Sequence, residues 1–219
     1  MASPETEEFS HANTLLTSAT HPIRLQSLRL QDAAGFAHIL AVDANDGQPP
    51  RSLERARAAI ERIQASAAVP SVLSTRDGVR LSGPTSVNLH VVVPNGEERE
   101  GGYEIIGLGG FGAIKTWVRD GKKVSAGDAG VVLDPRFRGK GYAVEAMRMT
   151  IDWAFRKLEE GGLQLDIVTV TTDSENKAMI KLTDEKLGLR GRGVLRDGEF
   201  TDKEMYWEIT PEEWQALRS

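Results

Sequence analysis

Between Asp128 and Leu158 the chain changes its hydrophobic period. Val131, Val132 and Leu133 form a short apolar, mostly β-branched run, the pattern of a buried strand. Asp134-Pro135 ends it, because proline disfavours helix in the residue before it and cannot donate to a ladder. From Tyr142 the apolar positions Val144, Met147, Ile151, Ala154, Phe155 and Leu158 recur at helical spacing. Glu145, Arg148, Asp152, Arg156 and Glu159 fall on the other side, with Asp152 and Arg156 spaced to pair across one turn. Gly161-Gly162 ends the helix. The stretch therefore predicts strand, glycine-rich turn, helix.

Upstream, residues 1–20 are polar and aperiodic and predict a flexible tail before one domain over 21–219. Ile23 to Leu30 suits a first strand. Asp32 caps a short helix through Ala41, with Phe36, Ile39 and Leu40 inward, and Ser52 caps a second helix to about Ala68. Val87–Val93 reads as a strand ending in the Pro94-Asn95-Gly96 turn, and Tyr103 to about Ile114 as a glycine-rich strand leading to a hairpin near Asp120-Gly121. Downstream, Leu163–Thr172 is β-rich. Thr172-Asp-Ser-Glu matches a capping box opening a helix from Asn176 to Gly188. A closing hairpin around Asp197-Gly198 and a helix from Pro211 complete the chain.

Composition narrows the function classes. The 219 residues are 40% hydrophobic and 27% charged, ordinary for one globular domain. A net charge of −5 argues against a general nucleic-acid binder. The absence of cysteine removes disulfides, thiolate metal sites and a cysteine acyl-enzyme, and fits a reducing compartment. The four histidines, at 11, 21, 38 and 90, lack metal-ligand spacing, so no metal is expected. The acidic start lacks a signal-peptide pattern, and no apolar run approaches the ~20 residues that span a bilayer. A cytoplasmic protein is expected, with no membrane partner and nuclear residence left open.

The turn between strand and helix carries the chemistry. Arg136, Arg138 and Lys140 place positive charge where a helix start leaves N–H groups unpaired, and Gly139 and Gly141 let backbone approach a ligand closely. The product is an anion cradle suited to phosphate or pyrophosphate. A Walker A loop is absent. Gly107, Gly109 and Gly112 match the dinucleotide fingerprint G-x-G-x-x-G, but Ala113 to Lys123 has no helical period. They predict a strand with a bulge or close approach instead.

Arg136-x-x-Gly139-x-Gly141, directly after a strand ending Leu-Asp-Pro, resembles the coenzyme A motif of the GNAT N-acetyltransferase superfamily. Gly139-Lys-Gly-Tyr-Ala followed by Glu145-Ala is similar to the ribosomal-protein-alanine-acetyltransferase-like branch, and Asn176, a helix and Lys186-Leu-Gly are similar to a later family motif. The resemblance covers roughly residues 86–209, and the region before only weakly. It implies an α+β, three-layer α/β/α fold: a mixed, mostly antiparallel twisted sheet with splayed parallel strands, here 127–134 and 163–172, flanked by helices. It implies acetyl-CoA as co-substrate and an amine acceptor, either a small molecule or a protein α-amine, in a monomer or homodimer. Val131, Val132 and Leu133 would hold the pantetheine arm. Arg136 and Phe137 would also bind the coenzyme, at the entry to the turn, and Arg138, Gly139, Lys140, Gly141, Tyr142 and Ala143 would hold the pyrophosphate. Asn176 would contact the coenzyme. Segments 41–51 and 69–85 would shape the acceptor side.

The sequence departs from the family where proton transfer is concerned. Thr183 stands where many members carry a tyrosine acid, Thr171 where some carry a glutamate base, and the helix is one residue longer than usual before Lys-Leu-Gly. Asp128 lies near the glutamate position of histone-type members and is the first candidate for the base; Glu104, His90 and Asp173 rank below it. Glu145 reads as structural. The leading expectation is direct transfer from acetyl-CoA to an amine, and the alternative is a non-catalytic coenzyme A-binding module.

Overall fold

The computed structural model describes residues 5–43, 52–95, 102–198 and 201–218. In chain order its strands and α-helices are β1 (Thr6–Phe9), β2 (Leu15–Thr17), β3 (Arg24–Ser27), α1 (Ala33–Asp43), α2 (Leu53–Ala67), β4 (Ser71–Ser74), β5 (Arg80–Ser82), β6 (Val87–Pro94), β7 (Tyr103–Arg119), β8 (Lys122–Leu133), α3 (Tyr142–Phe155), β9 (Ile167–Asp173), α4 (Lys177–Lys181), β10 (Val194–Asp197), β11 (Lys203–Ile209) and α5 (Pro211–Arg218). Eight strands form one sheet in the order β2-β3-β6-β7-β8-β9-β11-β10; β1, β4 and β5 form a small second sheet. In the large sheet every pairing is antiparallel except β8 with β9. This is the α+β arrangement the sequence implied.

The long β7–β8 hairpin is the spine. Asp120 (φ 50°) and Gly121 (φ 75°) both occupy the left-handed region, the type I′ geometry whose twist matches paired strands. Gly107, Gly109 and Gly112 lie within β7, followed by more strand rather than a helix, so they form no dinucleotide site. A Cβ at Gly107 would collide with the Val132 carbonyl of β8, and the β7–β8 register shifts between Phe111 and Ala113. These glycines mark strand contact and a bulge.

Each face of the sheet has its own core. Ala129, Leu133, Val168, Val170 and Trp207 pack with Ala146, Met147, Ile151 and Trp153 of α3. Leu28, Phe36, Ala56 and Ile60 form a second cluster with α1 and α2, against which Leu108 of β7 packs. Ser52 caps α2 as expected, accepting from the Arg55 N–H at 3.3 Å, a contact worth about 1 kcal/mol.

Several expectations are corrected. Residues 6–9 and 15–17 are paired strands, β1 on β4 and β2 on β3, so this part of the expected tail is built into sheets. The first strand stops at Ser27, and Asp32 lies in a 3₁₀ turn accepting from the Tyr103 hydroxyl instead of capping α1. Segment 69–85 supplies β4 and β5, at the Trp153 end of α3 beside His11 and roughly 16 Å along that helix from its start. Asp152 bonds Trp214 and Arg218 of α5 rather than Arg156, which already lies beyond the last helical residue. Asn176, not Thr172, caps the helix after β9, and Asp173 closes a local turn on the Glu175 N–H. That helix widens at Leu182–Lys186 into a π turn, with Leu187 N–H bonded to the Leu182 carbonyl. A π turn holds one extra residue, the one by which this segment exceeds the family pattern.

Candidate active site

β8 and β9 pair in parallel through Ala126–Ile167, Gly127–Val168 and Asp128–Thr169, and no pairing follows beyond that point. Val131, Val132 and Leu133 continue β8 past the divergence, while β9 continues alongside β11. The strands therefore open into a cleft whose apex is Asp128. Side chains alternate across the sheet, so Val131 and Leu133 face α3, whereas Asp128, Gly130 and Val132 face the α1–α2 side.

The turn above the cleft has the expected geometry. Gly139 (φ 75°) and Gly141 (φ 81°) are both left-handed, and Gly141 is the N-cap of α3 with no side chain satisfying the helix start. A glycine is needed at both places because other residues pay about 1–2 kcal/mol there. The first N–H groups of α3, from Tyr142 and Ala143, are left facing an open turn. Arg138 curls back to donate from Nε to the Leu133 carbonyl at 3.0 Å, which ties the turn to the strand end. Lys140 Nζ lies 5.1 Å above the Phe137 ring.

Arg136 departs from the role implied for it. Its Nε and Nη2 donate to Asp134 at 3.0 and 2.8 Å, and Nη2 reaches Glu104 at 3.4 Å. Asp134, almost fully buried, also accepts from His38 of α1 at 2.8 Å. The Arg136 guanidinium and its neighbours hold the Asp134 carboxyl far below the usual carboxylate range. Arg136 thus has its charge already matched by Asp134 and Glu104, while Asp134 ties the turn to α1 through His38. Asn176 is likewise engaged: its Oδ1 accepts from Met179 N–H and its Nδ2 donates to Thr172.

Asp128 Oδ1 accepts from both Thr169 (2.9 Å) and Thr171 (2.8 Å), leaving Oδ2 without a partner among the described residues. Burial pushes the Asp128 carboxyl up, Glu204 adds to this, and the two threonines and Arg196 oppose it without cancelling it. Gly130, two residues on, is exposed, and a Cβ there would meet nothing within 4 Å. Open space therefore begins two residues beyond Asp128, where the strands have parted. The weaker base candidates lie elsewhere: Glu104 pairs with Arg136, Asp173 closes its turn, and His90 is fully buried with Nδ1 3.6 Å from Asp32. Thr183 is also fully buried and donates to the Met179 carbonyl, so it cannot act as an acid.

Sequence reading missed the wall beyond Asp128. Cross-strand register brings Tyr206 opposite Thr171 and Glu204 opposite Asp173. Arg196 of β10 bonds Glu204 at 2.6 Å and stacks 3.7 Å above the Tyr206 ring; the Tyr206 hydroxyl donates to Glu208 at 2.6 Å. Burial and Glu208 push the Tyr206 hydroxyl far above its usual range, so it keeps its proton. The closing hairpin around Asp197-Gly198 is present as β10–β11, but the pairing of β11 with β9 is not legible in either segment alone. A cavity of about 860 Å³ lies outside the cleft, along the outer side of α3 between residues 15–21 and α5.

Three comparisons bear on this geometry. No curated protein matches the sequence. A solved structure described as an acetyltransferase (GNAT family) from Bacillus anthracis is 15% identical, with a TM-score of 0.59 over 91% of this chain and 100% of that one. RimL, titled a ribosomal L7/L12 alpha-N-protein acetyltransferase in complex with coenzyme A, has a TM-score of 0.62 at 12% identity over 91% and 99% of the two chains. Mycobacterium smegmatis RimJ, in complex with CoA-disulfide, has a TM-score of 0.56 at 19% identity over 96% and 89%. These likenesses establish the fold. The family model described as acetyltransferase (GNAT) domain matches residues 23–190, most of the chain, and with it the chain belongs to the GNAT acetyltransferase family.

Proposed function

We propose that the protein is an acetyl-CoA-dependent N-acetyltransferase that transfers the acetyl group directly to an amine, on a small molecule or at a protein N-terminus. The observation that carries this reading is the placement of Asp128, a carboxyl raised by burial, at the apex of a strand cleft that opens toward an uncapped helix start. Acetyl-CoA supplies an activated acetyl thioester. The backbone of Val131 to Leu133 would hold its pantetheine arm, and the N–H groups and cations of Arg138 to Ala143 its pyrophosphate. Asn176 has one amide hydrogen left for the coenzyme, since the other goes to Thr172.

Attack by the free amine on the acetyl carbonyl forms the N–C bond and breaks C–S. One proton passes from the acceptor nitrogen to Asp128 Oδ2, directly or through a water, and coenzyme A departs as the thiolate. A carboxyl raised by burial is a better acceptor for that proton than an ordinary aspartate. With a thiol pKa near ~8.5, the leaving group needs little acid assistance near neutral pH. Most of the acceleration comes from holding the two reactants in attack geometry.

A second reading, a coenzyme A-binding module without turnover, is favoured by one observation: the family's acid and base positions are both threonine, and Thr183 is sealed in the core. Calorimetric titration with acetyl-CoA, followed by an amine screen on the unaltered protein and on Asp128→Asn, separates the readings. The enzyme reading expects binding in both proteins and turnover only in the first. Binding without turnover of any amine, including peptides with free N-termini, would favour the module, and no binding would defeat both.

A further inference from the structure

The segment just before the family-matched region lies against the start of α3. Ser18 Oγ donates to Glu145 in the first turn of that helix. The same hydroxyl oxygen accepts from the N–H groups of Thr20 (3.1 Å) and His21 (2.9 Å), which folds residues 18–21 into a tight loop. Thr20 Oγ1 lies 2.9 Å from His21 Nδ1, and Glu145 lies 3.8 Å from the same nitrogen. The His21 ring stands edge-on to Tyr142, with centroids 6.0 Å apart. Its other nitrogen, Nε2, has no partner among the described residues, and a Cβ on Gly141 would lie only 2.8 Å from it.

One imidazole nitrogen is thus held by a hydroxyl beside a carboxylate, while the other is left free at the N-cap of a helix. With Thr20 and Glu145 gathered at Nδ1, Nε2 is the nitrogen left to meet a ligand. Nε2 therefore stands beside Gly141, the N-cap of α3, whose helix start has no side-chain cap. A helix start of this kind attracts an anion.

We propose that His21 is a specificity-determining residue of the coenzyme site, donating from Nε2 to the pyrophosphate of coenzyme A. The proposal rests on the coenzyme A reading above and extends it to a residue outside the glycine motif and just outside the family-matched segment. On this account Ser18, Thr20 and Glu145 are positioning residues. Ser18 folds the loop onto Glu145, and Thr20 holds Nδ1. Gly141 is glycine both for its left-handed backbone and to leave room for the ring.

The test is calorimetric titration of the full chain, unaltered and as His21→Ala and His21→Gln, with coenzyme A and with pantetheine, which carries the same arm without the pyrophosphate. A hydrogen bond to a charged group of this kind is worth about tenfold in affinity. His21→Ala is expected to weaken coenzyme A about tenfold and leave pantetheine unchanged, and His21→Gln, which keeps a donor, to recover part of the loss. Unchanged coenzyme A affinity in His21→Ala overturns the proposal, and so does an equal weakening of both ligands, which would mean the ring acts only through packing. Failure of the unaltered protein to bind coenzyme A would instead overturn the reading on which the proposal rests.

Discussion

His11 makes the N-terminal segment acid-sensitive by an amount the structure sets. Its side chain is 3% exposed, Nε2 lies 2.9 Å from Ser71 Oγ, and the ring stands edge-on to Trp153 at 5.9 Å. Burial and the nearby positive charge of Arg80 lower its pKa from 6.5 to about 4. In the unfolded chain the imidazole takes up a proton near pH 6.5, while the folded protein keeps it neutral until about pH 4. The unfolded state therefore binds more protons throughout this window. The His11 contribution is complete above pH 6.5 and is lost as pH falls toward 4. A difference of this size corresponds to roughly 3 kcal/mol at the acid end, with a slope of at most about 1.4 kcal/mol per pH unit. The perturbation is His11→Gln, which keeps a polar group at similar reach but removes the titration. Urea unfolding followed by tryptophan fluorescence from pH 4 to 7.5 supplies the stabilities, with Trp153 beside the altered residue. Carboxylates elsewhere contribute equally to both proteins, so the difference between the two curves isolates His11. It should shrink steadily below pH 6.5; a constant difference across the range would refute the argument.

Asp128→Asn should reduce transfer at least ~10²-fold while leaving acetyl-CoA affinity unchanged. Because burial raises the Asp128 carboxyl, its ionisation costs stability as pH rises above the unfolded value near ~3.9, so the same variant should show a higher urea midpoint at pH 7 than at pH 4 relative to the unaltered protein. Gly141→Ala must adopt φ 81° and meet His21, and should lose about 1–2 kcal/mol of stability together with coenzyme A affinity, both measurable in one thermal-shift series. Thr183→Tyr places a phenol in a fully buried position, and overpacking of about 1–3 kcal/mol is expected with no gain in turnover; a faster enzyme would show that the side chain reaches the cleft.

What the sequence disclosed was mostly local. The strand, glycine turn and helix from Val131 onward, the Ser52 cap and the Asp120-Gly121 hairpin each rest on neighbours in the chain, and each is present. The glycines of β7 were correctly set apart from a dinucleotide site because the residues after Gly112 lack helical period. What was misread depends on distant partners. β1 and β2 are short and polar, and their order comes from pairing with β4 and β3 rather than from their own periodicity. Asp152 was matched to Arg156 one turn away, but α5 brings Trp214 and Arg218 to it from the far end of the chain. Arg136 carries its charge within the motif, but it is held by its neighbour Asp134 and, from β7, by Glu104. The acceptor-side segment expected from 41–51 lies, beyond Asp43, outside the described residues. The polar wall of Glu204, Tyr206 and Arg196 needs β-sheet register, which no single segment encodes.

The family-matched stretch, residues 23–190, stops short of the sheets its strands belong to. A fragment trimmed to it would lose β1 and β2 at one end and β10, β11 and α5 at the other. β3, β4 and β9 would each become a bare edge with unpaired N–H and carbonyl groups, and Trp207 and Trp214 would leave the core. Exposed edges of this kind recruit other chains, so such a fragment should aggregate on expression even though it retains the glycine turn, the cleft and Asp128.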